Sequence, residues 1–123
     1  MQKVSLRRSL VSGVAVASML VVSAANASLD CSGKISRVLM YSYGLVMVVG
    51  SWRGDYTAIC STDGTWGGIS TETCLSWYAA ALKAQAENTT VDIYYANPTA
   101  TTCTSLPTYG NSLPPGYVML ISS

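Results

Sequence analysis

The stretch STETCLSWYAAALKAQAENTTVDIYY, residues 70 to 95, decides the architecture. Ser70 or Thr71 can cap a helix whose first turn carries Glu72, where the positive end of the helix dipole favours an acid. Leu75, Tyr78, Ala79, Leu82 and Ala86 then recur at helical spacing, an amphipathic stripe that ends near Glu87 and Asn88. Val91, Ile93 and Tyr95 alternate with Asp92 and Tyr94, the period-two pattern of a strand with one wet face. A helix of about 14 residues is marginal alone, so the pattern predicts one helix lying on a sheet.

Upstream, Lys34 to Met40 is rich in β-branched and long apolar residues, and Tyr41 to Gly44 is a turn into Leu45 to Val49, together a hairpin. Gly50 to Asp55 makes a second turn, and Tyr56 to Cys60 a third strand. Ser61 to Gly68, with Asp63-Gly64 and Gly67-Gly68, is turn-rich. Downstream, Asn97 to Gly116 holds all four prolines and reads as a long loop pinned by Cys103, and Tyr117 to Ile121 is the last strand. The fold class expected is β-rich α+β, with three strands, a helix and two more strands. That is the element order of a small five-stranded OB-like Greek-key barrel, whose helix joins strands three and four. An open antiparallel sheet with the helix on one face has the same order.

Residues 1 to 27 read as a signal peptide. Lys3, Arg7 and Arg8 precede an apolar run from Leu10 to Val22, and Ala25 and Ala27 supply the small side chains that signal peptidase needs. The run is about 13 residues, short of the roughly 20 that span a bilayer, so no membrane anchor is expected after cleavage. Residues 28 to 123 form one domain, secreted or periplasmic, with four basic residues against six acidic ones. A net charge of minus two with no basic stripe argues against nucleic acid as a partner.

Cys31, Cys60, Cys74 and Cys103 all lie in this domain, and an even count in a small exported chain means two disulfides. A metal centre is not expected, because there is no CxxC pair and no histidine. Four cysteines allow three pairings. The helix and the strand that returns along it bring Cys103 back near Cys74, which favours 74 with 103 and 31 with 60.

Cys60 to Ser70, Cys74 to Ala84, Val91 to Tyr95 and Cys103 to Pro107 together resemble a group of small secreted bacterial proteins. Their outline is a glycine-led first strand, a cysteine ending the third, an alanine-rich helix, a valine-rich strand and a cysteine just beyond. It is similar, more distantly, to the B subunits of subtilase cytotoxin and pertussis-like toxins, OB-type folds that assemble in rings and bind glycans. The resemblance implies pairing of Cys60 with Cys103, which leaves Cys31 with Cys74, and this is preferred over the pairing from element lengths. It carries over no glycan-contacting residue.

With histidine absent, the commonest general base is missing, and Asp55 and Asp63 are better explained as turn formers than as a glycosidase pair. No catalytic residue, cofactor or metal is expected. Three tryptophans and eight tyrosines, with no phenylalanine, suit surfaces that are half buried and half wet. Trp77 and Tyr78 on the helix are expected in the core. Trp52 and Trp66, in glycine-flanked turns, are expected to be partly exposed, so Trp52, Arg53, Asp55, Tyr56 and Trp66 form the candidate ligand surface. The function expected is an exported binding or assembly module, with a protein subunit or a glycan as partner and self-association like that of the toxin B subunits. The alternative is a monomeric structural or accessory envelope protein.

Overall fold

The computed structural model describes residues 12 to 18 and 27 to 122. The signal-peptide reading falls mostly on residues outside those described.

The described residues hold six strands and one α-helix, β1 Leu29–Gly33, β2 Ile35–Met40, β3 Leu45–Gly50, β4 Tyr56–Ser61, α1 Thr71–Glu87, β5 Thr90–Tyr95 and β6 Tyr117–Ile121, with a single 3-10 turn at Cys103–Ser105. They form two separate three-stranded antiparallel sheets, β1-β5-β6 and β2-β3-β4. This corrects the expected five-stranded barrel or single sheet. The residues before Lys34 are themselves a strand, pairing Cys31 with Ile93, and among the described strands β4 and β6 do not pair. A single residue, Lys34, carries the chain from one sheet to the other, its carbonyl accepting from the Ser51 N–H at 2.9 Å.

Helix α1 begins and ends where the cap residues dictate. The Ser70 hydroxyl accepts from the Thr73 N–H, and Asn88 closes the helix in the left-handed region at φ 53°. Its rotation differs from the expected stripe. The buried face is Cys74, Ala81 and Ala84, with Trp77 and Tyr78 partly buried beside them, whereas Leu75 is 57% exposed and Leu82 40%. Cys74 causes the difference, because it must face Cys60 at the end of β4. Ala81 and Ala84 carry no bulk, so the buried face can approach β2 and β4 closely.

The disulfides are Cys31–Cys103 and Cys60–Cys74, with Cα separations of 5.7 and 5.3 Å. Neither expected pairing forms. After β5 the loop turns back over β1, where the Cys103 sulfur lies 3.4 Å from the Asp30 carbonyl, so Cys103 meets Cys31 and not the helix. Cys60 and Cys74 are then left at the junction of β4 and α1.

Ile35, Val46, Val48, Ile59, Val91, Ile93, Tyr95 and Leu106 fill the space between the sheets and the helix. Burial pushes the Tyr95 phenol up to about 12, with the Thr57 hydroxyl beside it opposing the shift. Above pH 10 the unfolded chain loses this proton while the folded one keeps it, so stability falls as pH rises from about 10 toward 12. The gap corresponds to about 2 to 3 kcal/mol at the top of that window. Urea midpoints should therefore drop between about pH 9 and pH 11.5, and Tyr95→Phe should remove that share of the slope. An unchanged slope in Tyr95→Phe would show that Tyr95 is not the buried phenol responsible.

Candidate functional site

The five residues singled out in the sequence do not form one surface. Trp52 is 8% exposed and belongs to the core. Its indole lies against Gly33 and Gly50, where an added Cβ would come within 3.1 Å and 2.3 Å of ring atoms. Of the two glycines that flank the turn, Gly50 is space the ring occupies and Gly54 is not, and the second glycine against the ring, Gly33, comes from a distant part of the chain. Arg53 is half-buried and donates from Nε to the Leu106 carbonyl at 2.9 Å, tying the β3–β4 turn to the segment after Cys103. Trp66 is half-buried, packs on the core and heads a turn closed by paired backbone bonds with Ile69. Asp55 and Tyr56 remain near the surface, at the other end of β4 from Asp63.

A built polar surface lies elsewhere, on the outer face of β1-β5-β6. The register places Asp30 beside Tyr94 and Tyr94 beside Tyr117 along one row, and Ser32, Asp92 and Met119 along the next. Alternation sends Cys31, Ile93 and Val118 inward and leaves these six on the outside. The Tyr94 and Tyr117 rings stack with centroids 4.8 Å apart and planes 10° from parallel. Gly116 makes room for this stack, because a Cβ there would stand 2.9 Å from the Tyr94 ring.

Hydrogen bonds hold the carboxylates in place. Ser32 donates to Asp92 Oδ1 at 2.7 Å, and the Tyr117 hydroxyl faces Asp30 Oδ1 at 3.2 Å and Asp92 Oδ2 at 3.4 Å. Asp92, expected on a wet face, is only 6% exposed, covered by these partners. Partial desolvation and the two carboxylates hold the Tyr117 phenol above its usual range. The result is a small aromatic platform, the Tyr117 ring, 40% exposed and backed by the ring of Tyr94, bordered by the exposed Asp30 and by the apolar side chains of Met119 and Ile121. The sequence shows the Asp92 and Tyr94 alternation and the strand that begins at Tyr117, but not Asp30 and Ser32 on β1, nor the register that sets Tyr117 beside Tyr94.

Edge exposure separates the two sheets. The outer edge of β4 is covered by the loop before β6, with the Tyr109 N–H donating to the Tyr56 carbonyl at 3.0 Å and the Ser112 hydroxyl accepting from the Ala58 N–H at 2.8 Å. β6 pairs with β5 on one side and with no described strand on the other. Its sequence, Tyr-Val-Met-Leu-Ile, contains none of the charges or prolines that usually blunt an edge. A cleft of about 470 Å³ opens at the far end of the helix between Lys34, Lys83, Glu87 and Leu120, and the Lys34 ammonium in it is already spent on the Asn88 carbonyl. Among the described residues no group of three histidine, cysteine, aspartate or glutamate side chains is placed to hold a metal ion, and no helix is long and apolar enough to cross a membrane.

Compared with known proteins, the chain matches no family model, no curated protein and no solved structure. The likeness to toxin B subunits therefore rests on the sequence pattern alone.

Proposed function

We propose that the protein is an exported, non-enzymatic binding module that takes a glycan on the outer face of β1-β5-β6 and associates with further subunits through β6. Two intramolecular disulfides support an oxidising compartment outside the cytoplasm. The observation that carries the ligand class is the exposed Tyr117 ring, backed by Tyr94, with Asp30 at its border. The flat apolar face of a pyranose ring stacks on such a platform, and the exposed Asp30 carboxylate accepts from its hydroxyls, while Asp92 beneath holds Tyr117 in place. All of these side chains stand on strands, which keeps the ordering cost of binding low. The uncharged edge of β6 supports association, since an unpaired strand edge is a template for another strand.

A glycan array probed with the wild type and with Tyr117→Ala tests this reading, with native mass measured on the same samples. Wild type should bind a defined set of glycans as an assembly of more than one chain. Tyr117→Ala should keep its circular dichroism spectrum and lose at least about tenfold in affinity, about 1.4 kcal/mol. An array silent with the wild type, or one unchanged by the substitution, would remove the glycan reading, and a monomer at micromolar concentration would favour the accessory envelope protein instead.

A further inference from the structure

Two more tyrosines meet on the other sheet, away from the stacked pair. Tyr56 begins β4, and its ring meets that of Tyr109 with centroids 5.9 Å apart and planes inclined at 48°. The Asp55 carboxylate is fixed by accepting from the Tyr56 N–H at 2.8 Å. Tyr109 is 45% exposed.

Tyr109 is held in this position against its own preference. Its φ of 53° lies in the left-handed region, which glycine occupies freely and tyrosine does not. Its N–H is bound to the Tyr56 carbonyl, and its carbonyl accepts from the Ser112 N–H at 3.1 Å and hydroxyl at 2.7 Å. Strained backbone of this kind, fixed on both sides, concentrates where a side chain has to be presented. One carboxylate, that of Asp55, makes the surroundings negative. After burial, the groups that hold the Tyr109 phenol above its usual range are Asp55, Tyr41 and Tyr56, and no described cation opposes them. Arg53, next to this group in sequence, is turned to Leu106.

We propose that Tyr56 and Tyr109, with Asp55, form a site for an organic ammonium ion of the quaternary or methylated class. Aromatic faces carry negative charge density, and two rings inclined to one another beside a carboxylate give a rounded, weakly hydrated cation both contact area and charge. The geometry separates this site from the Tyr94–Tyr117 platform. The stacked pair closes the rings on each other and leaves one outer ring face, whereas rings at 48° present a corner. The inference does not depend on glycan binding and can fail or stand separately from it.

The test is a titration of the purified protein with choline chloride, followed by tyrosine fluorescence or NMR against sodium chloride at matched ionic strength. Wild type should show a saturable response. Tyr109→Gly, which suits φ 53° and so should fold at least as well, should lose at least about tenfold in affinity, and Asp55→Asn a similar amount. A response that never saturates, or one that Tyr109→Gly leaves intact, overturns the site. Cosedimentation distinguishes the two natural sources of such a cation. Binding to phosphatidylcholine vesicles but not to phosphatidylglycerol vesicles identifies a lipid headgroup, and saturation by choline without vesicle binding identifies a free small molecule.

Discussion

Replacing Trp52 with Ala is expected to cost about 3 to 5 kcal/mol, a large part of the stability of a domain of this size. The indole is 92% removed from solvent and fills the space left by Gly33 and Gly50, so its loss opens a cavity that two strands carrying glycines cannot close. At roughly 4 to 8 °C per kcal/mol, the melting temperature should fall by more than about 12 °C. One feature of the site works the other way. The Trp52 Nε1–H is buried without a hydrogen-bond partner among the described residues, an uncompensated desolvation cost. Trp52→Phe removes that donor and keeps a ring, so it should lose far less than the Ala variant. Equal losses for Phe and Ala would show that the indole is not packed against the two glycines as described.

Trp52 also shows why part of the fold was legible in the sequence and part was not. Strands β2 to β6 and the helix follow from periodicity and from caps at Ser70 and Asn88, all local signals. Trp52 was expected at the surface because glycines flank it, yet what matters is Gly33, remote in sequence and brought over the ring by the passage through Lys34. The helix phase failed for a related reason. Leu75 and Leu82 made the more apolar stripe, but the bond from Cys74 to Cys60 sets the rotation, and a covalent tie outweighs a few exposed methylenes. β1 escapes a local reading because Leu-Asp-Cys-Ser-Gly, although it alternates, has no β-branched or aromatic residue and is rich in strand-poor types, so its strand character comes from pairing with β5. The candidate site was lost with it. Asp30 and Ser32 join Asp92, Tyr94 and Tyr117 only through a register that spans more than sixty residues of chain, and no local pattern reports such a register.

Removing Cys31–Cys103 is expected to destabilise the protein more than removing Cys60–Cys74. The first bond closes a loop with a sequence separation of 72, the second one of 14, and the chain-entropy argument gives about 4 and about 3 kcal/mol respectively. The structure widens the gap. Cys103 anchors the segment that brings Leu106 to Arg53, Tyr109 to Tyr56 and Ser112 to Ala58, so releasing it also uncovers the edge of β4. The Cys31→Ala, Cys103→Ala double variant should therefore unfold at a lower denaturant concentration than Cys60→Ala, Cys74→Ala, and the reverse order would mean that the loop is held by its other contacts. Trypsin decides the connectivity itself. Cleavage after Lys34, Arg53 and Lys83 leaves Cys60 and Cys74 together in the peptide of residues 54 to 83, with Cys31 before it and Cys103 after it. Without reduction, the bonds seen here yield the 54 to 83 peptide alone with an internal disulfide, and a separate pair joining the Cys31 and Cys103 peptides. Either of the other two pairings ties all three peptides into one species, and finding that species would overturn both the disulfides and the course of the loop between β5 and β6.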